Sequence, residues 1–390
     1  MSAAEAAFLS RARDGALAAS FRETGLPQRR EEAWHYTSLR PLADVAFAEP
    51  SATASAEALA LLPELPGRAH VFVNGIGPQA TSDSAAPSAT LAATPGTEAL
   101  DRLNALLARD GLGLDVPAGQ DGGTVSLASL GEAGADPVSF HPRHRITLGA
   151  GARLVLLEVA TGRGCYLHNP AFAITLGEGA QLLHVRVQDE SPEAFHLATL
   201  EITLGAAAVY DSVLLNLGAR LSRMQSHTVL DGRGASAQLN AAQLLGGTQH
   251  ADITTVVRHA QPGCASRQTI RHVLDGASRG VFQGRIEVAR DAQKTDGYQM
   301  NQALLLSPQA EVNCKPELKI FADDVKCSHG ATVGELDGEQ LFYLRSRGIP
   351  EPAARAVLIR AFIAGLFDSL PHEAARAMLE SALDARWAAS

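Results

Sequence analysis

The densest set of ligand-type side chains in this sequence is Cys314 to His329 (CKPELKIFADDVKCSH), which places Cys314, Asp323, Asp324, Cys327 and His329 within 16 residues. Thiolate with imidazole is the donor set of soft and borderline metals such as iron and zinc. Cys327 and His329 are two apart, so on a strand they share a face and can share an ion. Plainer readings stand beside this one: Asp323-Asp324 suits a turn, and a lone Cys is often a small core hydrophobe. His168 and His196, 28 residues apart, are read as members of a polar face, because no His-x-x-x-His or Cys-x-x-Cys pair accompanies them. Asp323, Asp324 and Glu317 are the candidates for the clustered carboxylates of a polysaccharide-active enzyme. No acid recurs in a stacked position beside a base, which counts against that chemistry.

Composition narrows the field. Of 390 residues, 46% are hydrophobic and 19% charged, ample apolar content for a folded core. The most apolar stretch, Ala354 to Phe367, is interrupted by Arg355 and Arg360 and falls short of a membrane span of roughly 20 residues. Met1 to Leu26 has no apolar core of a secretory signal, which points to the cytoplasm and to four free thiols. A net charge of -9 disfavours nucleic acid as a partner. Only Lys294, Lys315, Lys319 and Lys326 are lysines, and none follows a glycine as a phosphate-cradling loop requires, so any nucleotide belongs to a partner.

The elements that must position these residues can be read from periodicity. Residues 2–24 predict a helix ending at Gly25 and Pro27, and Glu98 to Arg109 a second one stopped by Gly111. From about 120 to 335 the helical period vanishes, and Ile-Thr-Leu-Gly recurs at 146, 174 and 202, a spacing of 28. A fixed period of this size signals a solenoid. Within it Ala180 to Gln188 alternates strictly, with Leu183, Val185 and Val187 on one face and His184, Arg186 and Gln188 on the other. Shifting by one repeat adds Val155, Leu157 and Val159, then Val213 and Leu215, to the first face, which predicts a parallel β-helix with that apolar ladder turned inward. Helices are predicted for Glu339 to Arg347, Ala353 to Phe367 and Glu373 to Arg386. The expected organisation is an N-terminal helical and mixed region (1–120), a β-helix core (121–336) and a C-terminal helical domain (337–390). Unpaired end coils of such a stack invite pairing with a second protein. The apolar face of Ala353 to Phe367, beside a Gly-Pro hinge, suits a partner's groove.

Lys315 to Gly348 (KPELKIFADDVKCSHGATVGELDGEQLFYLRSRG), together with EEAWHYTSLRPL and the run from Asn104 to Leu112 (NALLARDGL), resembles the SufB/SufD family of iron-sulfur cluster assembly scaffolds. Where the SufB branch carries Cys-Asp-Ser-Leu-Leu this chain has Asn301 to Leu305 (NQALL), and where that branch has Phe-Tyr-Cys it has Phe342-Tyr343-Leu344. Lacking both thiols, it is similar to the SufD branch. The resemblance implies a mainly β protein, a right-handed parallel β-helix with an N-terminal mixed region and a C-terminal α-helical domain. It implies a non-enzymatic scaffold that pairs with SufB along the β-helix and binds the SufC ATPase through the C-terminal domain. His329 then faces a SufB cysteine across the interface and helps hold iron or a nascent cluster, with Cys327 in support. Iron and cluster are transient, and no cofactor is tightly bound. The SufC contacts are expected at Tyr343, Arg345, Arg347, Val357, Leu358 and Phe362. A structural homodimer when the chain is alone, and the polysaccharide-active β-helix, remain as alternatives.

Overall fold

Ile146, Ile174 and Ile202 stand in one column, each the pairing partner of the next in parallel register, so the 28-residue spacing is the pitch of the winding. The computed structural model describes residues 1–79, 98–368 and 370–388 and shows a parallel β-solenoid of about eight turns. Two ten-stranded sheets form its walls. The winding begins earlier than the period suggests: Arg68–Val73 pairs in parallel with Asp121–Glu132, and Gly113–Val116 with Arg143–Leu148. Residues 80–97 lie outside the described residues. After Leu204 the pitch drifts, so that Arg279 pairs with Glu311 and Asp296 with Lys326.

The repeat's glycine has a steric reason. At Gly177 an added Cβ would lie 2.9 Å from the Ala150 nitrogen one coil below, and at Gly232 only 1.9 Å from the Ala206 nitrogen. Consecutive coils touch backbone to backbone at this corner, where no side chain fits.

The expected orientation of the strands from Arg153 to Asn216 is reversed. Ile146, Ile174, Ile202, Leu148, Leu176 and Leu204 fill the lumen together with Leu154, Leu182 and Tyr210. Leu157, Val159, Val185, Val187, Val213 and Leu215 point outward and pack under the C-terminal helices. Strand alternation distinguishes two faces without saying which is internal. Here a second apolar layer, Ile359, Ile363, Leu366, Phe367, Met378, Leu379 and Leu383, covers the outer ladder. The lumen instead accommodates the other face, His184, Arg186 and Gln188, all buried, because their polar groups find partners there. The stacking itself agrees with the spacing: Val185 pairs with Leu157 on one side and Val213 on the other.

Helices clothe the solenoid. The predicted helix over 2–24 is two, Ala3–Arg11 and Gly15–Thr24, because the Asp14 carboxylate accepts hydrogen bonds of 2.8 and 3.0 Å from the Ala16 and Leu17 amides and starts the second. Phe8, Phe21, Trp34, Leu103 and Leu107 pack on Leu197 and Leu221 of the second sheet's outer face. Trp34 lies 4.0 Å under the Arg223 guanidinium, which is fully buried against Asp252 and donates to the Ala33 carbonyl at 2.8 Å. At the other end run Gly338–Ser346, Glu351–Ala364 and Glu373–Ala388. Among the described residues no helix is long and apolar enough to cross a membrane.

Candidate functional site at the open end of the solenoid

The last coil is left uncovered. Glu311–Ile320 and Lys326–Gly334 are the terminal strands of the two sheets, and among the described residues no further strand pairs with either outer edge. Phe321 and Val333 are 59% and 56% exposed there. Parity along Lys326–Gly334 turns Cys327 and His329 to the lumen side: they pair with Gly297 and Gln299, and Cys327 packs with Ile286, Val288 and Ala322. Cys327 is half-buried and His329 exposed at the mouth. One coil below His329, Gln299 is 1% exposed, and both its amide nitrogen and its oxygen lack a hydrogen-bond partner. Unsatisfied buried amides are costly, and this one can serve a group seated above it. Burial, with the Asp296 charge adding to it, pushes the Cys327 thiol above its ordinary range. Among the described residues, Cys327 and His329 form no group of three metal-type side chains.

The remaining members of the Cys314–His329 run do structural work. Cys314 packs against the lumen core, and burial pushes its thiol up to about 11. Lys315 bridges Glu317 at 2.9 Å and Glu32 at 2.7 Å, while Arg285 holds Glu317 at 2.6 Å. The two sequence motifs therefore meet, EEAW from the N-terminus docking on KPEL of the last coil. Asp324 lies in an exposed turn, paired with Lys294. The three acids considered for sugar chemistry are thus not gathered into one cleft.

The C-terminal residues divide. Phe342 and Tyr343 are 74% and 58% exposed. Arg347 lies over the Tyr343 ring at 5.2 Å, and Arg345 pairs with Glu351 at 3.2 Å. Val357 is exposed and Leu358 half-buried. Phe362 packs on the protein's own outer ladder, under the Arg271 guanidinium at 5.1 Å, and its carbonyl accepts from the same side chain. Most of the apolar face of Glu351–Ala364 is already covered by the solenoid.

One constellation was not read from the sequence. His168 and His196 are paired neighbours, as their spacing requires, but their face is the sealed lumen, and Glu190 joins them from the turn after Gln181–Asp189. Nearby, the Glu158 carboxylate lies 3.0 Å from the His184 ring. Burial alone would raise the Glu158 pKa; the hydrogen bond and charge of His184 outweigh it and bring it down to about 2. Arg186 donates to Ser212 at 3.0 Å. The signal was the 28-residue interval between His168 and His196, but Glu190 sits in a turn with no periodic counterpart.

Comparison with known proteins adds an independent line. Residues 130–362 match the family described as SUF system FeS cluster assembly, SufBD core domain. The iron-sulfur cluster assembly protein SufD of Escherichia coli is 33% identical over 368 residues, 90% of this chain and 86% of that one. An iron-sulfur cluster assembly SufBD family protein of Synechocystis is 31% identical over 396 residues, covering 93% and 87%. The SufD protein of Bacillus subtilis is 33% identical over 173 residues, 44% of this chain and 39% of its own.

Proposed function

Because the chain belongs to the SufB/SufD family, as an iron-sulfur cluster assembly protein of the SufD type, we propose that it is a non-catalytic cytoplasmic scaffold whose open coil pairs with a SufB-type sister. The observation that carries this is the uncovered terminal coil, with bare strand edges and His329 at its mouth above the unsatisfied Gln299 amide. Bare edges are templates for strand addition. A neutral imidazole is a good iron ligand at neutral pH. An interface can then supply thiolate from the sister and nitrogen from this chain, without a cysteine-rich pocket in either. Iron or the nascent cluster is the cargo, held transiently; Cys327 backs His329 as a supporting thiol once a metal displaces its proton.

The second contact in this reading is a SufC-type ATPase. Tyr343, Arg345 and Arg347 with exposed Val357 form its docking surface, and Leu358 and Phe362 stiffen the helix beneath. The ATPase supplies the nucleotide site this sequence lacks, and its closure shifts the paired solenoids to admit iron and sulfur.

Co-expression with candidate SufB- and SufC-type chains tests both contacts at once. Lys at Phe321 and Val333 should remove the sister from the co-purified complex and leave the ATPase. Tyr343→Ala with Val357→Asp should do the reverse. Loss of both partners from either variant, or of neither, contradicts the assignment of surfaces. Recovery of this chain only as a homodimer beside its expressed partners favours the homodimer instead.

A further inference from the structure

We propose that His168, Glu190 and His196 form a structural site for one borderline divalent cation, Zn2+ or Fe2+, sealed in the lumen far from the open coil in sequence. All three are buried, and their ligand atoms lie within 4.8 Å of one another. His168 Nδ1 is 3.1 Å from Glu190 Oε1, and His196 Nδ1 is 2.7 Å from Glu190 Oε2. The second contact lacks hydrogen-bond geometry, and His168 Nε2 also has no partner. Without an aligned proton, an imidazole nitrogen this close to a carboxylate oxygen is unsatisfied, and a cation bonded to both at about 2.0–2.2 Å, with the two atoms moved slightly apart, would satisfy it. Gln188 donates to Oε2 at 3.1 Å and orients the carboxylate, the kind of support that fixes metal ligands. A cavity of about 20 Å3 reaches His196 and Gln188, room for one water beside the site. Two imidazoles and one carboxylate with no sulfur select zinc or ferrous iron. The cation would tie the turn carrying Glu190 to two adjacent coils, and because the site is closed it would enter as the chain folds. This inference does not rest on the scaffold reading and concerns the chain without partners.

The test uses the full-length chain produced with and without Co2+ in the growth medium, followed by metal analysis, visible absorption and X-ray absorption. One Co2+ per chain is expected, with ligand-field bands, two imidazoles and only nitrogen and oxygen ligands. His196→Gln and Glu190→Gln should each lower retained metal at least tenfold. Metal retained by both variants, sulfur among the ligands, or loss only when Cys327 and His329 are replaced would overturn the proposal. If those variants do not fold, the unmodified chain decides. Metal-loaded protein should melt at higher temperature than protein made without metal, and equal melting temperatures with no stoichiometric metal would refute the site.

Discussion

His272 sits wholly inside the lumen between Gln243 and Asn301, at 2.7 Å from each amide oxygen. A neutral imidazole has one donor and one acceptor, so one of the two amides turns its NH2 toward the ring. Burial holds His272, and likewise His259, down to a pKa of about 4 against an ordinary 6.5. In the unfolded chain both rings take up protons near 6.5, whereas in the folded chain they resist until about 4. Between these values the unfolded state binds more protons, so stability is full above pH 6.5 and falls as pH drops toward 4. Each ring adds at most about 1.4 kcal/mol per pH unit. Urea unfolding at a series of pH values should show this slope, and His272→Gln should flatten it; an unchanged slope would mean that this ring is not the group that resists protonation.

At the scale of elements, the coil corner and the helix layer make separate demands. Gly232→Ala forces a Cβ to 1.9 Å from a backbone nitrogen, so it should cost several kcal/mol or prevent folding. At Gly246 an added Cβ meets nothing within 4 Å, so Gly246→Ala should change stability by less than about 1 kcal/mol. Thermal melts of the pair check whether backbone contact explains the repeat. Ile363→Ala empties a fully buried position between the C-terminal helices and the outer ladder and should cost about 2–5 kcal/mol. A cost below about 1 kcal/mol would show the helix layer to be only loosely held. These elements also show what the sequence could disclose. The 28-residue pitch was legible because the corner excludes side chains once per coil. The face of Val185 was not, because alternation is symmetrical and the covering layer comes from residues 359–383, remote in sequence. Cys327 and His329 were legible as a shared face through two-residue parity, while Glu190 carries no period that could associate it with His168 and His196.

At the scale of the whole molecule, the solenoid is clothed unevenly. N-terminal helices cover one outer face and C-terminal helices another, yet the last coil stays bare and carries the exposed Phe321, Val333 and His329. In the proposed reading, that bare coil is where a second chain adds its strands. The fold class was legible from the 28-residue repeat and the strict alternation within it. The uneven clothing was not, since it depends on where the helices dock. The most direct test of the account is anaerobic reconstitution with iron and sulfide of the co-purified complex, comparing wild type with His329→Ala by cluster absorbance per complex. An intact complex with cluster yield reduced severalfold in the variant is expected. Normal cluster yield from an intact His329→Ala complex would contradict it.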